Sequence, residues 1–517
     1  MNKEGRVLAD RPVQTESNPG DPTNELRVST TRGALISVTS QAVNFVLRTG
    51  SMMVLARLVT PKDFGLVGMA TAATGLLALF KDAGLGMAMV QRRVITEAQS
   101  STLFWVNIGV GTGLAALCAL LAPLIVSFYG APSLFWITVA LGSSFFFNGA
   151  AAQHGAMLQR SMRFGAIAVI DIVALLVSIG LGIGMAVGGQ GYWALVAMSV
   201  SQTAVYAGGS WLATGWVPSL PKQNSGIGSM LMFGGTVTLS NIINYIAYNT
   251  DKVLLGRFWG AEALGIYGRA YTLSSVANTN LYSAIGSVAF PALSRLQNDP
   301  SRFRSYFLKG YGIFLSLVLP ITLWCAMFAD EIILVMLGPK WREAAIIVLL
   351  LAPTIMAFGL INPFIWVMLA AGRAVRCVKI ALTITPLVVL GYAIGLRWGP
   401  EGVAAGFSIA MSIAIVPMIF WAKQGTSITG EDVFKALTRP LLSIAVSAVV
   451  LLTTRRLLDQ IEPVFLQLVA ETIILFGVNL FVLLFVLHQK PVYMGLLRET
   501  RIWPFNKRQA EAASTVF

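Results

Sequence analysis

The chain has 517 residues, 56% of them hydrophobic and only 12% charged, with a mean hydropathy of +0.73. A water-soluble protein of this length needs far more polar surface, so a globular soluble fold is excluded. The net charge of +14 does not point to nucleic acid, because the basic residues are spread by loop and not gathered along a groove.

The first 32 residues are polar and include Pro12, Pro19, Gly20 and Pro22. They lack an apolar core and a cleavage site, so they read as a disordered cytoplasmic tail and not as a signal peptide. Apolar runs of about 20 residues then recur, each long enough to cross a bilayer as a helix. They fall at 34–56, 64–88, 103–128, 133–157, 164–187, 191–213, 227–254, 264–290, 310–336, 344–370, 377–396, 400–422, 437–454 and 465–487. The prediction is an all-α polytopic membrane protein with about 14 transmembrane helices. Residues 33–213 form an N-terminal six-helix bundle, and a polar linker over 214–226 carries Pro218, Pro221 and Lys222. A C-terminal six-helix bundle covers 227–423, two appended helices cover 424–488, and a cytoplasmic tail covers 489–517.

With the N-terminus in the cytoplasm, the two tails and the even-numbered loops hold 25 lysines and arginines, and the odd-numbered loops hold 8. This is the positive-inside pattern, with both termini cytoplasmic. The basic excess sets topology and meets anionic lipid, and nucleic acid is not an expected partner. No odd-numbered loop is long enough to fold as a soluble domain, which needs roughly 50 residues. Cys118, Cys325 and Cys377 lie in or beside apolar spans and read as buried thiols. His154 and His488 have no partners at metal-ligand spacing, so no metal and no cofactor is expected.

A polar seam runs through the first span. Ser37, Gln41, Asn44, Arg48 and Ser51 follow helical spacing and share one face. The chain repeats this 200 residues later as Asn241, Asn244, Tyr248 and Asp251. Ser40 matches Ser240, Leu55 matches Leu255, Arg57 matches Arg257, Gly65 matches Gly265, Gly68 matches Gly268, and Ala70 matches Ala270. A polar face on a membrane helix is costly unless it lines water, ligand or another helix. Two copies starting on the same side suggest a parallel repeat, related by an axis along the membrane normal.

Three stretches carry a family resemblance. The first is Ala56-Arg57-Leu58-Val59-Thr60-Pro61-Lys62-Asp63-Phe64-Gly65, continued by Phe80-Lys81-Asp82-Ala83-Gly84-Leu85-Gly86 and Val90-Gln91-Arg92. The second half adds Asn249-Thr250-Asp251-Lys252-Val253-Leu254-Leu255-Gly256. It then adds Gly260-Ala261-Glu262-Ala263-Leu264-Gly265-Ile266-Tyr267-Gly268-Arg269-Ala270-Tyr271. Over about residues 30–430 the chain resembles the Wzx-type proteins, the polysaccharide-transport branch of the oligosaccharide flippases. The resemblance implies the multidrug/oligosaccharidyl-lipid/polysaccharide exporter fold: two six-helix bundles with pseudo-two-fold symmetry around a central cavity, working by alternating access. It also implies a polyprenyl-pyrophosphate-linked oligosaccharide as cargo, the bacterial inner membrane as location, and a polysaccharide polymerase and chain-length regulator as partners. Lys81 departs from the pattern, since a small or apolar residue is expected before the Asp82 turn.

A pyrophosphate that leaves water needs fixed cations, and arginine offers a planar fork for phosphate oxygens. Arg48 lies mid-span on the seam and is the leading candidate, against a structural ion pair with a neighbouring helix. Arg269 and Lys81 are further cavity candidates, each against snorkelling to the interface. Gln41, Asn44, Asn241 and Asn244 could bond sugar hydroxyls or join helices. Tyr248, Tyr245, Tyr192 and Trp193 could stack on sugar rings or anchor the interface. Arg57 and Arg257, at equivalent span ends, read as interface anchors. Asp251, Asp171 and Asp82 are candidates for ion coupling, since a desolvated carboxylate can take up a proton or a cation. For Asp251 the plainer reading is a salt bridge to Lys252 or Arg57. Asp171 has no same-face cation nearby in sequence, so it should face the cavity or another helix, and Glu471 poses the same question.

The function these features imply is a flippase for lipid-linked oligosaccharide units in exopolysaccharide or lipopolysaccharide biosynthesis. An alternative is an ion-coupled exporter of small cations or drugs on the same fold, a cargo that would favour an acidic cavity. An enzyme is not expected: no Ser/His/Asp set, paired catalytic carboxylates or metal ligands stand out.

Overall fold

The computed structural model describes residues 22–81, 96–221, 228–458, 462–490 and 493. The side chains of 22–35, 37, 38, 228–241, 243, 244, 277, 278, 374 and 456–458 lie outside that description. Among the described residues every regular element is helical. The helices are α1 (Pro22–Leu58), α2 (Pro61–Ala78), α3 (Glu97–Tyr129), α4 (Leu134–Arg160), α5 (Phe164–Val187), α6 (Tyr192–Thr214) and α7 (Gly228–Arg295). They continue as α8 (Pro300–Met327), α9 (Ala329–Met336), α10 (Ala344–Ala370), α11 (Ala374–Gly395), α12 (Gly399–Lys423), α13 (Gly430–Leu458) and α14 (Val464–Phe481). Eight described stretches are long and apolar enough to cross a membrane, 375–423 counting as one. The protein is a polytopic all-α membrane protein.

Three boundaries differ from the sequence reading. Helix α1 begins at Pro22, so it takes in 22–32, which the composition had assigned to the tail. Proline at a first helical position has its φ already set and loses no hydrogen bond there. Within the described residues α2 ends at Ala78 and not near 88. The amides of Leu79, Phe80 and Lys81 bond back three residues, to Leu76, Leu77 and Ala78, which tightens and closes the turn. Lys81 therefore lies just past the end of α2. The spans expected at 227–254 and 264–290 are joined within α7, which is broken only at Gly260 (φ 83°, ψ −175°). That backbone conformation is open to glycine and strained for other residues.

The chain forms two compact units: Met1–Ala270 with Met336–Ile347 and Ala381–Phe407, and Tyr271–Val335 with Val348–Ile380 and Ser408–Phe517. In the first, α3 packs along α4, α5 along α6, α4 along α6, and α1 along α5. Small residues permit these close crossings. The duplicated positions meet each other here. An added Cβ on Gly65 would strike the carbonyl of Ala261, and one on Gly265 would strike the carbonyl of Pro61. Since 265 is 65 plus 200 and 261 is 61 plus 200, each repeat offers the other the same glycine and the same carbonyl. This is the self-complementary contact that a two-fold relation produces. Around it Leu55 and Leu255, and Ala70 and Ala270, are all buried.

A short tongue, Gly338 to Trp341, seals the end of α1. Trp341 is fully buried. Its indole N–H donates to the Ala56 carbonyl at 2.7 Å, and the Lys340 ammonium donates to the Arg57 carbonyl at 3.3 Å. These are carbonyls of the last helical turn, which have no partner within the helix itself. The Phe64 ring meets Trp341 edge-on at 5.3 Å.

The linker is held as well. Its Ser219 amide and hydroxyl both donate to Ser101 Oγ (3.1 and 3.0 Å), and Trp105 donates to the Ser219 carbonyl at 2.9 Å. In the second unit, α8 packs on α13 and α14. Arg304 grips both oxygens of Asp432, and Trp324 donates to Thr472 Oγ1 at 2.9 Å. The helices expected as an appended pair are thus fastened to α8 through side chains at several levels.

Candidate functional site

The α1 seam resolves into a polar row. Gln41 and Arg48 are exposed, and Asn44 is half-buried with its amide near Ser40 Oγ at 3.4 Å. Ser51 is buried and donates to the Arg48 carbonyl at 2.9 Å. Helix α5 runs alongside and places Asp171 within the electrostatic reach of Arg48, without closing an ion pair. The Tyr206 hydroxyl on α6 in turn senses the charge of Asp171 and lies against Gly155 of α4. A guanidinium, a carboxylate and a phenol from three helices, α1, α5 and α6, thus lie within electrostatic reach, each of the next. Asp171 lacked a cation in its own stretch of sequence; α1 supplies it. Tyr206 was not singled out from sequence, and nothing in its spacing marks it.

The second seam is buried where the first is open. Asp251 is fully buried. Its Oδ2 accepts from the Tyr267 hydroxyl at 2.8 Å, and its Oδ1 accepts from the Lys252 amide at 2.8 Å. The Lys252 ammonium turns away, donating to the Tyr248 carbonyl (3.2 Å) and to Asn249 Oδ1 (2.8 Å). Among the described ion pairs none involves Asp251, so the expected salt bridge to Lys252 or Arg57 is replaced by a tyrosine hydroxyl and a main-chain amide. The reason is geometric: adjacent residues on a helix point about 100° apart, so Lys252 cannot readily fold back on Asp251. Tyr248 is half-buried, and the side chains of Asn241 and Asn244, like all of Asp82, lie outside the described residues.

Arg269 is half-buried, and its guanidinium sits over the Phe64 ring at 4.6 Å, a cation–π contact that joins it to the Trp341 tongue. Its Nε is buried without a hydrogen-bond partner. Lys81 is half-buried beyond α2. Arg269 and Lys81 are thus not in the Arg48–Asp171–Tyr206 group. Tyr192 and Trp193 pack on one another at 5.6 Å where α6 begins. Glu471 is buried on α14 and accepts from Gln467 at 3.2 Å. His154 is enclosed by Phe104, Trp211 and Trp216, with Nδ1 at 2.7 Å from Thr214 Oγ1. Among the described residues no three His, Cys, Asp or Glu side chains converge as a metal site would require.

Residues 54–346 match the family described as Polysaccharide biosynthesis protein, more than half of the chain. The chain belongs to this family. It is 26% identical to the lipopolysaccharide biosynthesis protein WzxC of Escherichia coli (strain K12) over 405 residues, 76% of this chain and 81% of that protein. It is 30% identical to the teichuronic acid biosynthesis protein TuaB of Bacillus subtilis (strain 168) over 298 residues, 57% of this chain and 61% of TuaB, so under two thirds of that relative is matched. Among solved structures it is similar to the lipid II flippase MurJ in an inward closed conformation, with a TM-score of 0.68 and 14% identity over 88% of this chain and 99% of that one. It also resembles an inward-facing multidrug resistance MATE family transporter, with a TM-score of 0.59 and 14% identity over 73% and 93% of the two chains. At these identities the structural likeness shows the fold, and it is the fold that the sequence resemblance implies.

Proposed function

We propose that the protein is a flippase that carries polyprenyl-pyrophosphate-linked oligosaccharide repeat units across the bacterial inner membrane by alternating access, for exopolysaccharide or lipopolysaccharide assembly. Both termini lie in the cytoplasm. The observation that carries the proposal is Arg48, an exposed guanidinium on α1, a helix read from sequence as spanning the membrane, within a chain of the polysaccharide biosynthesis family. A lipid-facing charge at that depth is expensive, and the loose relation to Asp171 leaves its fork free to receive phosphate oxygens. Asn44 and Gln41 lie about one and two turns further along the same face and bond sugar hydroxyls. Tyr248, Asn241, Asn244, Arg269 and Lys81 belong to the rest of the cargo path. Asp171, held near Arg48, and Asp251, held by Tyr267, are the carboxylates through which an ion gradient drives the cycle, with Asp82 the third. A polysaccharide polymerase and a chain-length regulator take over the flipped unit.

The names of WzxC, TuaB and MurJ support this reading. An exporter of small cations is the rival on the same fold, and an exposed mid-helix arginine opposes it. The test is flipping of a defined polyprenyl-pyrophosphate oligosaccharide in proteoliposomes. Arg48→Ala should abolish flipping with insertion and folding intact, and Arg48→Lys should restore part of it because the fork is lost. Normal flipping by Arg48→Ala would remove Arg48 from the cargo path. Gradient-driven export of a cationic dye by the wild type, with no flipping, would replace the reading with its rival.

A further inference from the structure

An apolar cleft of about 450 Å³ opens between α2, α3 and α7, in the first unit, with no α1 residue in its walls. Along α7 it runs from Tyr245 to Val253, about 12 Å at 1.5 Å per residue. Three of its four polar side chains, all but Tyr129, are turned into the backbone. The Tyr245 hydroxyl donates to the Ala72 carbonyl at 2.9 Å, the Asn249 amide to the Tyr245 carbonyl at 3.0 Å, and Thr250 Oγ1 to the Ile246 carbonyl at 2.6 Å. What remains on the walls is hydrocarbon and aromatic surface, suited to a chain and not to a sugar. Leu76, Leu124 and Ile246 on its rim are exposed, as side chains facing acyl chains are.

One end of the cleft carries a charge. Arg257 lies one helical turn beyond Val253 on the same face of α7. Its guanidinium stands over the Phe128 ring at 5.5 Å, and Phe128 is itself a wall of the cleft. Arg257 is exposed, and among the described residues no carboxylate closes an ion pair with it. A slot of hydrocarbon depth that ends beneath an unneutralised cation has the shape of a lipid: one chain in the slot and an anionic phosphate at its mouth.

We infer that the α2/α3/α7 cleft is a binding site for one acyl chain of an anionic bilayer phospholipid, with Arg257 holding the headgroup phosphate. A phospholipid is the committed occupant because it is the phosphate-bearing chain present in bulk around every exposed face of the protein. The inference does not depend on the transported cargo or on which face of the membrane the mouth occupies.

The test is native mass spectrometry of the full-length protein, delipidated and then titrated with phosphatidylglycerol or with phosphatidylcholine of identical chains. Wild type should retain one phosphatidylglycerol with a preference of about fivefold, the differential attraction of one interfacial cation for an anionic headgroup. Arg257→Gln should bring phosphatidylglycerol down to the phosphatidylcholine level. Ala73→Phe, which fills the slot, should lose both lipids; Leu76→Trp fills it from the exposed rim and serves if Ala73→Phe does not fold. Equal retention of the two lipids by wild type, or a preference that survives Arg257→Gln and both slot-filling variants, would overturn the site. A polyprenyl phosphate that displaces phosphatidylglycerol at equimolar concentration would overturn the phospholipid as occupant.

Discussion

Glycine at 65 and 265 is demanded by the contact between the two repeats, and this can be tested with controls built into the same helices. Gly265→Ala would place a methyl group on the Pro61 carbonyl, and Gly65→Ala would place one on the Ala261 carbonyl. Backbone atoms cannot rotate aside, so the two segments must separate. Overpacking of this kind costs about 1–3 kcal/mol. Replacing glycine by alanine in a helix returns about 1 kcal/mol. The net loss for the touching state is then up to about 2 kcal/mol, a fall of up to about thirty-fold in its population relative to any state in which the segments are apart. Gly68 and Gly268 are the controls: the first has only the Leu264 side chain at 3.6 Å and the second has open space. Gly68→Ala and Gly268→Ala should be neutral or slightly stabilising. Spin labels on cysteines at the exposed positions Lys62 and Glu262, themselves 200 residues apart, read the separation by double electron–electron resonance. The distance distribution should gain a long component in the Gly65 and Gly265 variants and remain unchanged in the Gly68 and Gly268 variants. If all four variants give one distribution and one melting temperature, the self-complementary contact is not what selects glycine.

Other consequences can be measured on the purified protein. Trp341→Phe should keep most of the packing but leave the Ala56 carbonyl without its donor, costing about 1 kcal/mol in thermal unfolding, whereas Trp341→Ala should cost about 3–5 kcal/mol. Tyr267→Phe removes one of the two donors to the fully buried Asp251 carboxylate and should destabilise by about 1–3 kcal/mol; a Tyr267→Phe, Asp251→Asn double variant should recover part of the loss, and no coupling between the two would sever the bond. If Asp251 couples an ion, Asp251→Asn should erase any dependence of flipping on the pH gradient, and an unchanged dependence would leave it structural. Asp432→Asn should weaken the half-exposed Arg304 contact by about 1 kcal/mol or less. Asp432→Ala should cost about 1 kcal/mol more, since Asp432 also accepts from the amide and hydroxyl of Thr429, the N-cap of α13, in a capping box.

Membrane class, helical content and internal repeat were legible because each is written locally or at a fixed offset. An apolar run announces a helix without reference to anything it touches. The pairing of Arg57 with Arg257 or Gly65 with Gly265 needs only one shift of the sequence. Partners brought together from distant segments were not legible. Asp171 and Arg48 are 123 positions apart, and no periodicity within either helix says that α1 and α5 lie side by side. Tyr267 is separated from Asp251 by the break at Gly260, so helical spacing cannot register the two. The end of α2 was not legible because the apolar run continues past Ala78 while the hydrogen bonds have already tightened into a closing turn.

The two seams show what duplication keeps and what it releases. Positions where one copy touches the other stay paired: Gly65 with Gly265 and Ala70 with Ala270 must fit an identical neighbour, so a change in one would have to be answered in the other. Positions on the seam have no such constraint. Arg48 has become Tyr248 and Ser51 has become Asp251, so a cation is exposed on the first copy and an anion is buried on the second. The buried anion needs donors, and it has Tyr267 where the first copy carries Val67. A scaffold that holds its symmetry at the packing contacts while its polar groups diverge presents chemically different faces from equivalent positions.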